Sequence, residues 1–206
     1  MKQIATLLLF LLFSGFCVAQ APELPLYGAS INVQGAYYKD LNNDLDQFIG
    51  SWVFSDSNTT LTITIVKKTQ FFNLDRNVYI DYLVGEYHYE VNNQTIVNSL
   101  SNLNQNFSNI YDYNIYGYSI INKRKAPVCP ECNLNERRVK LRFKDPIRNA
   151  PGLSGIITLR RVDENGVQKT HMRLQQTGSI IPIDDTPPTY MSFHVPWGQY
   201  VLIKQP

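Results

Sequence analysis

Apolar and polar residues alternate along much of this chain with a period of two, the spacing that turns successive side chains to opposite faces of a β-strand. Residues 60–66 read Thr-Leu-Thr-Ile-Thr-Ile-Val, with Leu61, Ile63 and Ile65 on one face and three threonines on the other. That pattern predicts a half-buried strand. Similar runs predict strands over residues 51–54, 77–84, 86–91, 94–97, 115–121, 138–144, 155–162, 167–174 and 200–204. Gly85 is expected to mark a turn or bulge between two of them. Asn92-Asn93 supplies a turn that tolerates positive φ. Asp163-Glu164-Asn165-Gly166 carries an Asn-Gly pair, the strongest short-range hairpin signal in the chain.

Helical spacing is confined to two places. Leu41, Leu45, Phe48 and Ile49 fall at i, i+4, i+7 and i+8 and predict a short amphipathic helix ending at Gly50. Leu100, Leu103, Phe107 and Ile110 lie in an Asn- and Ser-rich stretch, residues 98–114, that reads equally as a short helix or a long ordered loop. Residues 20–40 show no sustained period and predict an extended arm. Pro182, Pro187, Pro188 and Pro196 keep the stretch before the last strand out of any central strand position. The fold class is therefore all-β, mostly antiparallel, with nine or ten short strands in a closed barrel or, alternatively, a β-sandwich.

The first 19 residues follow a different logic. Lys2 precedes an unbroken apolar run from Ile4 to Phe13, and Cys17 and Ala19 form an Ala-x-Ala-like site, which together predict a cleaved signal peptide and a mature chain from Gln20. The run is shorter than the about 20 residues a spanning helix needs, so no transmembrane segment is expected. Phe16 before Cys17 argues against lipid anchoring. Residues 20–206 are expected to form one domain, exported to the periplasm or the extracellular space. Losing Lys2 reduces 19 basic residues to 18 against 17 acidic ones, too even a balance to draw nucleic acid. Lys123-Arg124-Lys125 and Arg137-Arg138 could form a basic patch, although such runs are usually solvated faces.

Export also bears on Cys129 and Cys132, spaced Cys-Pro-Glu-Cys. A small disulfide loop is the first reading, ahead of a redox site, which would sit at a helix N-terminus, and of a zinc site, which would want further ligands. Signs of catalysis are sparse. His88, His171 and His194 are scattered without metal-ligand spacing, and Gly152-Leu153-Ser154-Gly155 lacks the spacing of a nucleophile elbow. No Gly-rich phosphate loop occurs, and neither a metal nor any other cofactor is implied. Asp44 and Asp46, Glu86 and Glu90, and Asp184 and Asp185 are carboxylate pairs for which surface solvation is the cheaper explanation, with a cation at Asp184-Asp185 as the other reading. The chain holds 13 Tyr. Tyr116 and Tyr118, two apart on one strand, are candidate ligand-binding residues lining a pocket or carbohydrate platform, against the reading that Tyr simply suits a half-buried sheet.

Leu45-Asp46-Gln47-Phe48-Ile49-Gly50-Ser51-Trp52 resembles the start of the lipocalin and calycin pattern, a short helix followed by Gly-x-Trp on the first strand. The resemblance implies an antiparallel up-and-down barrel around an apolar ligand cavity, Trp52 packed across its closed end, and Gly50 allowing close approach of the chain. It also implies an Arg over the Trp ring, for which Lys204 on the last strand and Arg173 one strand earlier are the available cations. With the Asn-Gly hairpin and the terminal Pro-x-Gly-x-Tyr-Val-Leu, most of the mature chain is similar to a family of exported Bacteroidetes-type proteins of unknown function. Three functions stay open: a binder of a small hydrophobic or amphipathic molecule inside the barrel, an interaction protein with a filled barrel, and a carboxylate-dependent hydrolase.

Overall fold

The computed structural model describes residues 21–180 and 188–206. The expected signal segment, Pro182, Pro187 and the Asp184-Asp185 pair lie outside the described residues. Eleven strands form one sheet: β1 (Glu23–Pro25), β2 (Tyr37–Lys39), β3 (Gly50–Ser55), β4 (Thr59–Asn73), β5 (Val78–Val91), β6 (Gln94–Asn98), β7 (Ile115–Ile121), β8 (Arg138–Phe143), β9 (Gly155–Arg161), β10 (Lys169–Gln176) and β11 (Gly198–Lys204). Eight of them, β3-β4-β5-β7-β8-β9-β10-β11, pair antiparallel in that order. Ile203 opposite Val53 and Lys204 opposite Trp52 then close the barrel. Each barrel strand pairs with its neighbour in sequence apart from the short detour through β6, the up-and-down arrangement. Of the remaining strands, β2 and β6 pair with β5, and β1 pairs with β2. One edge of β5 meets β2 at Tyr79–Ile80, β7 at Leu83–Gly85 and β6 at His88–Val91.

The inward series of each strand fills the barrel. Leu61, Ile63, Tyr87 and Ile157 have no exposed surface, and Ile65, Val139, Leu141, Phe143, Leu159, Met172, Leu174 and Leu202 have at most 2 %. A cavity large enough for a ligand would leave free surface on the side chains around it. These have almost none, so the interior is packed with side chains, one of the two outcomes open to an eight-stranded barrel.

Both barrel ends are plugged. At one, Leu45 and Phe48 are fully buried, and the Trp52 indole N–H donates to the Phe48 carbonyl at 2.8 Å. The expected amphipathic helix here is a single 3-10 turn, Asp46–Phe48. Asp40 accounts for the difference, because its carboxylate accepts the N–H groups of Asp44 and Leu45 and holds the chain in a turn, leaving Leu41 54 % exposed. At the other end Phe193 and Val195 drop into the mouth. Ring centroids run Tyr87 to Phe143 at 4.9 Å, Phe143 to Phe193 at 5.7 Å and Phe193 to Trp197 at 4.8 Å. Asp145 fixes this plug. Its carboxylate accepts from the His194 backbone N–H at 2.7 Å, contacts His194 Nδ1 at 2.9 Å, and also takes the N–H groups of Ile147 and Arg148.

Other elements differ from their sequence pattern for local reasons. Gly85 is neither turn nor bulge: β5 runs straight through it, and Gly85 pairs with Ile65 on one side and Ile115 on the other. Any Cβ there would sit 2.9 Å from the Thr64 carbonyl oxygen, so glycine marks the close approach where three strands meet. The irregularity lies across the pair instead, in β4 between Lys68 and Phe71, with Gln70 at φ 50°. Residues 98–114 hold two 3-10 turns, Leu100–Gln105 and Ile110–Asp112, laid as a strap over the outer face of β5. The arm carries β1 and β2, and Tyr37 donates to the buried Asp81 carboxylate at 2.6 Å. Turn chemistry follows the residues: Asn92, Asn93, Asn165 and Gly166 all take positive φ.

Candidate functional site

A groove of about 640 Å³ runs along the outer face of the barrel, across β5, β7, β8 and β9. Tyr82, Tyr111, Tyr116 and Tyr118 form its aromatic side. Tyr116 and Tyr118 both line the groove, and a slip in the β7–β8 pairing between Tyr116 and Ser119 brings Ser119 opposite Lys140 on the same side. Gly117 makes the slip possible, since a Cβ there would lie 3.1 Å from the Leu141 backbone. The rings meet edge to face: Tyr82 with Tyr118 at 5.1 Å and Tyr111 with Tyr116 at 5.4 Å. Tyr111 arrives from the strap and is 42 % exposed, while Tyr82 is buried and accepts a hydrogen bond from the Asn73 amide at 2.8 Å.

The opposite side is cationic. Val139, Leu141 and Phe143 point into the core, so Lys140 and Arg142 alternate outward into the groove, and Arg76 joins them from the β4–β5 turn. Among the described residues none of these three has a carboxylate within ion-pair distance and no Asp, Glu, His or Cys lines the groove; Asp75, next to Arg76 in sequence, accepts from the Tyr111 hydroxyl at 3.3 Å. Burial raises the pKa of Tyr82 and of Tyr116. The phenols therefore stay neutral at physiological pH, able to donate and accept hydrogen bonds but not to attack as phenolates. Lys144 sits over the Tyr116 ring at 5.6 Å and donates to the Tyr111 carbonyl, tying strap to groove. Its pKa is lowered by burial. Among the described residues the groove holds no nucleophile–base pair.

Asp44, Asp46, Glu86, Glu90 and the cysteines singled out in the sequence lie away from the groove, and His171 lines a separate, smaller hollow. Asp44 pairs with Arg137, Asp46 with Lys67, Glu90 with His88, and Glu86 accepts from the Asn114 side chain and backbone. Cys129 and Cys132 form a buried disulfide. Its loop folds over the outer face of β8 and β9, where Arg138 donates to the carbonyls of Pro127, Asn122 and Lys125. Arg137 stacks on Tyr27 at 4.1 Å, and Arg138 is buried beneath the loop. A smaller hollow of about 90 Å³ lies beside this loop, where Arg160 is neutralised by Glu136. No group of three His, Cys, Asp or Glu side chains gathers as a metal site among the described residues.

At the Trp52 end, Arg161 of β9 lies over the indole at 5.0 Å from its centroid and donates to the Gln47 carbonyl at 2.9 Å. Lys204 approaches the ring at 5.5 Å, which Gly50 permits at φ 117°, its hydrogen facing Lys204 Cε where a Cβ would be 3.1 Å away. Arg173 is exposed on the outer face and takes no part. Sequence reasoning missed Arg161. The signal was present, because Arg161 continues the inward series Ile157, Leu159 by the same period of two.

These features define a closed, side-chain-filled, eight-stranded up-and-down β-barrel with an aromatic and basic groove on its outer wall. The chain belongs to a family of unknown function, DUF6705, whose model matches residues 1–205. Neither a curated protein nor a solved structure matches it. No helix among the described residues is long and apolar enough to cross a membrane.

Proposed function

We propose that the chain is an exported, lipocalin-like binding protein whose barrel is a rigid scaffold and whose ligand occupies the outer groove rather than the interior. The absence of free surface on Leu61, Ile63, Tyr87 and Ile157 carries this reading, since it leaves the core no room for a guest. Gly50, Trp52 and the stacked Arg161 support the lipocalin-like assignment of the closed end. A volume of about 640 Å³ lies within the usual range of about 300–1,000 Å³ for ligand sites. The disulfide suits an oxidising compartment.

The test is native mass spectrometry on protein purified from its own source. A mature chain beginning at Gln20 and a co-purifying small molecule are expected. The same molecule should be missing from a folded Tyr116→Ala, Tyr118→Ala double variant. A ligand retained undiminished by that variant would refute the groove, and an intact Met1 terminus would refute export with cleavage.

A further inference from the structure

Resting on the groove reading, we infer the chemical class of its ligand: an oligosaccharide that carries anionic groups. Two independent properties of the groove point there. First, Arg76, Lys140 and Arg142 converge on it, and among the described residues none of the three has a carboxylate within ion-pair distance, Arg76 donating only to the Ile31 carbonyl at 3.4 Å. Unpaired cations converging on one concavity call for an anion, and the guanidinium forks of Arg76 and Arg142 match a planar carboxylate or a sulfate.

Second, the facing wall is neutral phenol. Half-buried rings offer apolar surface to the C–H face of a sugar ring, and their hydroxyls serve its hydroxyl groups. Ser119, Ser154 and Thr177 add short hydroxyl side chains to the lining, the complement a polyhydroxylated ligand needs. A purely apolar guest would leave the cations and hydroxyls unsatisfied. A nucleic acid would want a far larger phosphate footprint than three cations on a nearly neutral chain.

The experiment is an array of oligosaccharides in three groups, carboxylated, sulfated and neutral, probed with the mature protein. Titration of the best hit follows, with a polyglutamate of matched charge as the ring-free control. Binding confined to the acidic groups supports the inference and tells which anion is read. Lys140→Gln and Arg142→Gln, both outward-facing, should each weaken that binding about tenfold and reduce its salt dependence. Tyr118→Ala should weaken it while leaving the salt dependence intact. Binding to neutral sugars alone, equal binding of polyglutamate, or no binding to any acidic sugar overturns the inference. The groove itself is judged separately by the co-purified species: a neutral molecule lost with the tyrosine variant would keep the groove and discard the acidic sugar.

Discussion

Arg161 and Trp52 are 109 positions apart in sequence and in contact in space, the guanidinium lying over the indole 5.0 Å from its centre while Nη1 is held by the Gln47 carbonyl. The pair joins β9, β3 and the 3-10 turn that plugs the barrel. Removing the ring should cost more than removing its cover. Trp52→Ala is expected to lose about 3–5 kcal/mol, the usual result of emptying a large buried aromatic site. Arg161→Met should lose about 1–2 kcal/mol, and Arg173→Met less than about 0.5 kcal/mol. Urea denaturation of the three variants decides it; equal losses for the two arginines would remove Arg161 from its structural role.

Gly85 and Gly198 make a matched pair of strand glycines. A methyl at Gly85 meets the Thr64 carbonyl at 2.9 Å, whereas at Gly198 nothing lies within 4 Å. Gly85→Ala should destabilise by about 1–3 kcal/mol through overpacking, and Gly198→Ala should be neutral or stabilising by about 0.4–1 kcal/mol. Melting temperatures moving in the same direction for both would contradict the register at the three-strand junction.

The part of the fold that was legible in sequence is the part governed by period and turn chemistry. Alternation marked the barrel strands, and Asn165-Gly166 marked its hairpin, because both are properties of a few adjacent residues. Gly85 misled for a physical reason: the residue that lets a strand bulge also lets three strands crowd together, and only the neighbours distinguish the two. The groove was half visible. Tyr116 and Tyr118 stood out as a local pair, but their partners Tyr82, Arg76 and Arg142 reach them through barrel closure and strand register, which no local pattern records.

Glu86 has no exposed surface, and burial raises its pKa despite the hydrogen bonds from Asn114. A carboxyl whose folded pKa lies above its unfolded value binds its proton more tightly when folded. Below the unfolded pKa, about 4.3, both states are protonated and Glu86 exerts no pH pull. As pH rises past it the unfolded chain ionises first and stability falls, levelling off once folded Glu86 has ionised. Glu136, lowered mainly by its bond from Arg160, acts in the opposite sense and loses its contribution on acidification. Thermal melts of wild type and Glu86→Gln between pH 4 and 8 isolate the first effect. The variant should gain relative to wild type as pH rises, and parallel curves would show that Glu86 does not titrate differently in the fold.

Cys129 and Cys132 close a loop of four residues, so their bond restrains little of the unfolded chain. The loop-entropy relation gives about 2 kcal/mol for so short a closure. Cys129→Ser should lower stability by about that much and leave the barrel folded, with the bond's presence checked by thiol titration of the unfolded wild type before and after reduction. A collapse of the fold would mean that the loop holds Arg138 in place by more than the bond itself.

Closure of the barrel by Val53 against Ile203 and Trp52 against Lys204 also sets an order of events. β3 waits for a partner made most of a chain length later, so the closed core is a late, long-range contact of the kind that slows folding. While β11 is still being synthesised, β3 keeps an unpaired edge and the inward face stays open. The growing polypeptide therefore cannot seal its core until its final strand is available.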